Sequence, residues 1–271
     1  LAEPTFDRAA FVARLGTRRL GRTLIARAEA GSTNDVAWEA LAQGTPDGTA
    51  VVADVQSRGR GRAGRAWHTA PGLGLALSVL LHLGCDRRGA ATLPLVGGLA
   101  LAEALESLGL RTRLKWPNDL LVGTRKVSGL LAESRRGPHA PHDAAGGDVA
   151  VLGVGVNVGQ GPGDFPPDLA PRATSLALEG VAASREAVAA AFLNRLEPLW
   201  HEHAEGGRER VLDRWRARAA FWGRPVTVRT PSGPVEGVAR TLDPDGGLVL
   251  ALADGRETTV LAGDLEVGGE S

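Results

Sequence analysis

Four short stretches carry side chains whose types and spacing could do chemistry. The first, Gly59-Arg60-Gly61-Arg62-Ala63-Gly64-Arg65, interleaves glycines with arginines. Glycine lets a backbone approach a ligand closely, and successive amides can cradle an anion. Arginine adds a fixed charge suited to phosphate and carboxylate. Such a loop could bring together two anions, for example a carboxylate and a triphosphate. The same composition suits a basic surface loop or a nucleic-acid-binding stretch. No Gly-Lys-Ser/Thr closes it, so a Walker mechanism is unsupported. The second stretch, Lys115-Trp116-Pro117-Asn118-Asp119, reads as a strand end stopped by proline. An amide and a carboxylate held there could orient a nucleophile or hold Mg²⁺, or the segment is a plain turn. In the third, Arg125-Lys126-Val127-Ser128-Gly129, Lys126 is a compact charge able to meet a carboxylate or phosphate oxygen, or a solvated hairpin lysine. The fourth, Gly31-Ser32-Thr33-Asn34, could read a neutral polar head group or cap a helix.

The elements that must position these stretches are legible as pattern. An amphipathic helix carrying Phe6, Phe11, Val12 and Leu15 is expected to end at Gly16. An extended run follows over 22–30, then a helix to about Gly44 and a valine-rich strand over 49–56. Residues 57–67 have no periodicity and read as a loop. A buried strand is predicted over 74–83, a helix over 93–108 and a strand over 112–116. Two strands, 120–122 and 127–133, turn around Gly123, and another buried strand covers 149–158. Between them, 135–147 is rich in glycine, proline and histidine and reads as an exposed loop. Two helices are expected over 183–220. Beyond Phe221, strands at 225–230, 235–242, 248–252 and 257–260 alternate with glycine turns, which suggests a small β-barrel. The division expected is a 1–220 catalytic domain and a 221–271 all-β domain, in the α+β class.

Composition narrows the classes of function. Thirty-one basic side chains balance thirty-one acidic ones, so no global field pulls the chain toward nucleic acid or an anionic membrane. The apolar run 73–83 is too short to span a bilayer, and no secretory signal is visible. A single cysteine, Cys85, forms no internal disulfide, which points to a reducing, cytoplasmic setting. Gly153, Gly155 and Gly159 precede no predicted helix, so a dinucleotide fingerprint is not met. His201 and His203, two apart on a helix, do not share a face. His139 and His142 have no other ligand types close in sequence.

Taken together, the stretches have a specific order. Ser32-Thr33-Asn34, Gln56 followed by Gly-Arg-Gly-Arg-x-Gly-Arg-x-Trp at 59–67, Lys-Trp-Pro-Asn-Asp at 115–119, Arg-Lys-x-x-Gly at 125–129 and Gly-Val-Gly-Val-Asn at 153–157 resemble biotin–protein ligases. The resemblance runs from about residue 22 to the end of the chain. It implies a mixed β-sheet catalytic domain with flanking helices, like class II synthetases, and an SH3-like C-terminal domain. It also implies two half-reactions: biotin and Mg-ATP give biotinyl-5′-AMP, and the biotin then passes to a lysine of a biotin carboxyl carrier protein.

The resemblance distributes roles among the residues. Ser32, Thr33, Asn34, Gln56 and the backbone at Arg60 and Gly61 are similar to positions that bind biotin's ureido ring. Trp67, Gly129 and Leu130 match its apolar wall. Lys126 matches the lysine near the biotin carboxylate and α-phosphate, and Arg60 and Arg62 would close over the adenylate. Lys115, Asn118 and Asn157, with Arg60, Arg62, Trp67 and Lys126, are the nucleotide set. Asp119 is the candidate metal ligand or orienter of the incoming lysine, and Lys126, Arg62 and Asp119 are the catalytic set. A loop over 159–167, with Phe165, would fold over the adenine. The 57–67 loop is expected to order on ligand arrival. About twenty residues precede the first predicted strand, too few for the DNA-binding domain of some family members. Monomer and homodimer are both compatible. The rival readings are a lipoate–protein ligase and a non-catalytic RNA-binding protein; the latter fits poorly with zero net charge and no aromatics between the arginines.

Overall fold

The computed structural model describes residues 3–84, 87–135 and 147–268. Cys85, His139 and His142 lie outside them, as does most of the predicted 135–147 loop. A seven-stranded mixed sheet forms the larger part. Its strands are β1 (Leu24–Ala30), β2 (Ala50–Gln56), β3 (Gly74–Gly84), β4 (Arg113–Lys115), β5 (Asp119–Val122), β6 (Arg125–Arg135) and β7 (Asp148–Asn157). Their order is β1-β2-β3-β7-β6-β5-β4, with β1 and β2 parallel and the remaining pairs antiparallel. Five helices flank it: α1 (Arg8–Val12), α2 (Thr33–Ala42), α3 (Arg87–Ser107), α4 (Arg185–Glu202) and α5 (Arg208–Arg216).

Strand alternation explains how the helices are distributed. Along β7, Ala150, Leu152, Val154 and Val156 belong to the large core that contains α3 and α4. Val149 and Val151 face the other way, into a smaller core with Ala37, Trp38 and Leu41 of α2. That second face changes character partway along, because its next positions are Gly153 and Gly155. Packing stops there, and room for a ligand begins. α3 from Gly89 onward is long and apolar enough to cross a membrane, yet most of it is buried within the protein.

Several boundaries differ from the sequence reading. The first helix spans only Arg8–Val12, and Val12 is half exposed while Phe11 is fully buried. Asp7 caps it by accepting from the Ala10 amide, and five residues suffice to bury Phe11 without a turn reaching Gly16. α3 starts earlier than predicted and carries Pro94 in its interior. A fifth strand of the C-terminal module, β12 (Asp264–Val267), has no counterpart in the reading. It joins β8 (Pro225–Thr230), β9 (Gly233–Leu242), β10 (Leu248–Ala251) and β11 (Glu257–Val260) in an antiparallel sheet of order β11-β10-β9-β8-β12. β12 is only four residues long, Asp264-Leu265-Glu266-Val267; these alternate polar and apolar, but only Leu265 is buried and no turn pair marks the strand as part of a hairpin.

One buried ion pair ties the N-terminal segment to the sheet. Arg185 Nη1 lies 2.7 Å from Asp54 Oδ1, with both side chains less than a tenth exposed. Arg185 Nη2 also donates to Thr5 Oγ1, and Asp54 Oδ2 accepts from the Thr5 amide. Removing one partner strands the other charge away from water, which costs about 3–5 kcal/mol. Arg185→Met is therefore expected to lower the thermal midpoint by about 6–20 °C in a scanning calorimeter, at roughly 2–4 °C per kcal/mol for a chain of this size. Arg185→Met/Asp54→Leu should recover most of the loss. Equal midpoints for the single variant and wild type would show that the pair contributes nothing.

Candidate active site

A cavity of about 800 Å³ opens on the α2 face of the sheet, beside α2, and is roofed by the arginine-rich loop. Its floor follows from strand register. Gly129 on β6 pairs with Gly155 on β7, and Leu131 with Gly153, so three glycines form a patch bare of side chains. Trp67 fills it: a Cβ on Gly155 would stand 2.2 Å from the Trp67 ring. A Cβ on Gly153 would meet Asn34 Oδ1 at 2.5 Å. The glycines therefore seat an indole and an amide, and do not form a dinucleotide turn.

At one end of the cavity the polar groups are neutral. Thr33 and Asn34 open α2, and Gln56 ends β2. The Thr33 amide donates to Gln56 Oε1 at 2.9 Å, and Ser78 Oγ lies 2.6 Å from Asn34 Oδ1 and 2.8 Å from Thr33 Oγ1. Asn34 Nδ2 is buried with no hydrogen-bond partner among the described residues. An unpaired buried donor costs free energy unless a ligand accepts from it. This end can read an uncharged acceptor.

At the other end the cavity is cationic. Lys115, Lys126, Arg62, Arg65 and Arg172 line it. Lys126 Nζ lies 2.6 Å from Asp119 Oδ1 and 5.6 Å from the centre of the Trp67 ring. The contact with Asp119 is short but poorly aligned, and Asp119 Oδ1 makes no hydrogen bond among the described residues. Lys126 is held by its backbone, which donates to Arg172 O at 2.7 Å and accepts from the Thr174 amide at 2.9 Å. The loop after β7 is thereby tied to the lysine, and it brings Phe165, Leu169 and Pro171 to the cavity wall.

The roof is a small flap. Gly61 N donates to Arg65 O at 2.7 Å, Trp67 N to Gly59 O at 2.9 Å, and Arg60 bridges Ala66, so its two arms pair. At its tip Ala63 and Gly64 have φ of 52° and 73°, a left-handed turn that glycine accommodates readily and alanine only at a cost. The arginines have different partners. Arg60 forms a bidentate pair with Asp35, at 2.7 and 2.8 Å, and reaches Glu133 at 3.1 Å. The Asp35 hydrogen bond holds the Arg60 proton more firmly than usual, and the Arg60 guanidinium keeps the Asp35 carboxyl below its usual range. Arg65 pairs with Asp264 of β12 at 2.6 Å. Among the described residues Arg62 donates only to the carbonyl of Gly263, at 3.2 Å, and burial lowers its pKa, against the pull of Asp264. It is the flap cation most in need of an anion.

Every predicted site residue lines this cavity except Ser32. Ser32 is buried at the N-cap of α2, where its side chain makes no capping bond. Leu130 touches the cavity, but its side chain packs on the α3 side, where Gly97 approaches it closely; Leu131 is on the cavity face. Asn118 and Asn157 spend their amides on the protein: Asn118 Nδ2 donates to Leu130 O, and Asn157 Nδ2 to Thr174 O. Trp116 is buried, with Nε1 donating to Gly246 O of the C-terminal module, and so braces Lys115 and Asn118 on either side. The sequence reading missed Gly153, Gly155, Leu131 and the β12 residues Glu266 and Val267 as lining positions. The break from valine to glycine along β7 was the available signal for the first two. His203 is buried, stacked on Trp200 and 2.9 Å from Thr92 Oγ1. No cluster of three or more candidate metal ligands exists among the described residues.

The chain is similar to known proteins over most of its length. The model of the Biotin/lipoate A/B protein ligase family matches residues 27–149, and that of the Biotin protein ligase C terminal domain matches 221–268. A biotin–[acetyl-CoA-carboxylase] ligase of Mycobacterium tuberculosis is 35% identical over 252 residues, covering 90% of this chain and 88% of that one. A bifunctional ligase/repressor BirA of Bacillus subtilis is 32% identical over 256 residues, covering 94% and 77%. Among solved structures, a biotin protein ligase from Aquifex aeolicus in complex with biotin and ATP superposes with a TM-score of 0.73 at 29% identity, covering 91% of this chain and 98% of that one.

Proposed function

Because this chain belongs to the biotin protein ligase family, we propose that its cavity activates biotin with ATP and that the enzyme then biotinylates a lysine of a carrier protein. The observation that carries this reading is the polarity of this cavity, neutral and hydrogen-bonding at Thr33, Asn34 and Gln56, cationic at Lys126 and Arg62. Biotin has the matching polarity, with an uncharged ureido head, an apolar ring and chain, and a carboxylate at the far end. The Asn34 Nδ2 donor suits the ureido carbonyl, and Trp67 over its glycine floor covers the apolar ring.

In the first half-reaction a biotin carboxylate oxygen attacks the α-phosphorus of ATP. The bond to the bridging oxygen breaks, and pyrophosphate leaves. Lys126 and Arg62 offset the repulsion between two anions, a charge term that a closed site strengthens. Phe165, Leu169 and Pro171 supply an apolar wall for the adenine. The residues fit Mg²⁺ only as an ion carried on the nucleotide. Asp119 and Glu266 are the two carboxylates among the lining residues, and Glu266 is taken by Arg229. Asp119 would touch the ion, which would neutralise phosphate charge.

In the second half-reaction the acceptor amine attacks the acyl carbon and forms an amide, and AMP leaves. A lysine amine has a pKa near 10.4, so a group must receive its hydrogen. Asp119 is suited to that role: its buried Oδ1 makes no hydrogen bond among the described residues and lies 2.6 Å from the Lys126 ammonium, which would have to yield it to the amine. Asp119→Asn is expected to slow transfer from preformed biotinyl-5′-AMP by about 10²-fold. Exchange should change by less than about tenfold. Transfer at the wild-type rate removes Asp119 from the role.

The reading as a whole is tested by ATP–pyrophosphate exchange with biotin and lipoate in parallel. Biotin-dependent exchange is the expected result. Exchange with lipoate alone would keep the mechanism and change the substrate, against the neutral polar floor, which a dithiolane ring cannot hydrogen-bond. An RNA-binding reading loses support from the flap, since Arg60 and Arg65 are already paired with carboxylates.

A further inference from the structure

Arg60 has little charge left to offer a substrate. Both oxygens of Asp35 and one of Glu133 surround its guanidinium. Glu133 is itself held, since its second oxygen accepts from Trp38 Nε1 at 2.9 Å. Trp38 in turn lies under the Arg135 guanidinium, 4.1 Å from its ring centre. The two carboxylates come from different elements, α2 and β6, and they meet only at the flap.

We propose that Asp35 and Glu133 are positioning residues that pin the flap through Arg60 and so set how long the activated intermediate stays enclosed. The proposal rests on the adenylate reading of the cavity. The paired arms make the flap move as one body, so fixing Arg60 also fixes Trp67 over Gly155. Asp35 follows Thr33 and Asn34 in the first turn of α2, so the ureido-reading residues and the flap anchor share one turn of helix. A mixed anhydride survives only where water is excluded, which gives a pinned flap its chemical purpose. Arg62, without a carboxylate partner, is left to meet the ligand.

The test uses the full chain with Asp35→Asn and Glu133→Gln singly, and Asp35→Glu as the conservative variant. Trypsin nicking after Arg62 or Arg65 in the ligand-free protein reads flap opening without any assumption about substrate. Each single variant is expected to be nicked about three- to tenfold faster; fivefold corresponds to ~1 kcal/mol. Release of preformed biotinyl-5′-AMP should accelerate by a similar factor, with kcat of exchange within about twofold and an unchanged thermal midpoint. Asp35→Glu, which keeps the carboxylate, should keep nicking slow. Nicking and release at wild-type rates in both single variants overturn the proposal, as does faster release that appears only with a lowered midpoint. A wild-type protein that forms no biotinyl-5′-AMP defeats the functional reading, while nicking still decides the anchor.

Discussion

Lys126→Ala is expected to lower biotin-dependent ATP–pyrophosphate exchange by about 10²- to 10³-fold, with the fold intact. The ammonium sits where the neutral and cationic halves of the cavity meet, beside Trp67 on one side and Asp119 on the other. Attack of a carboxylate on a triphosphate brings like charges together. A fixed cation at the junction counts most in the transition state, when the two are closest. The loss should therefore fall mainly on kcat, with a smaller rise in KM for biotin. Little of it should come from unfolding. Lys126 is partly exposed, and the contacts that hold its strand, to Arg172 and Thr174, are made by backbone. Lys126→Arg should recover only part of the rate, because a planar fork does not reproduce a compact charge. A Lys126→Ala enzyme with exchange within threefold of wild type would transfer the role to Arg62.

Gly155→Ala is the second large effect expected, and it enters through shape. A Cβ at this position would stand 2.2–2.6 Å from three atoms of the Trp67 ring. The strand backbone is held on both sides, by β3 and by β6, so the indole must move. Trp67 is paired to Gly59 across the flap, so displacing it lifts the flap as well. Overpacking of this kind costs about 1–3 kcal/mol, equivalent to roughly five- to 150-fold in biotin affinity. Titration calorimetry should show the weakening, with thermal stability of the ligand-free protein changed by much less. Unaltered biotin affinity would mean that the indole has another resting place and is not the cavity's apolar wall.

Most of the polar residues that line the cavity were legible in the sequence because they fall in short, contiguous stretches of unusual composition. Ser-Thr-Asn, the Gly-Arg loop, Lys-Trp-Pro-Asn-Asp and Arg-Lys-x-x-Gly each announce a polar or cationic group beside a flexible or turning backbone. The strands of the large sheet were legible too, since their apolar runs are bounded by glycine and proline. Tertiary structure alone decided which of these groups are free. Asp35, 25 residues before it in the chain, neutralises Arg60, while Arg62, two positions along, meets only a carbonyl among the described residues. Pairing of this kind depends on strand order and on a helix start 25 residues away, and no local pattern encodes it. The same is true of β12. Its four residues, Asp-Leu-Glu-Val, alternate too briefly for the pattern to say what they pair with, yet Asp264 and the preceding Gly263 hold the flap, and Glu266 and Val267 line the cavity. Local composition specifies which groups a site has. Long-range packing specifies which of them still need a partner, because the free energy of a buried charge is set by neighbours that the chain brings in from afar.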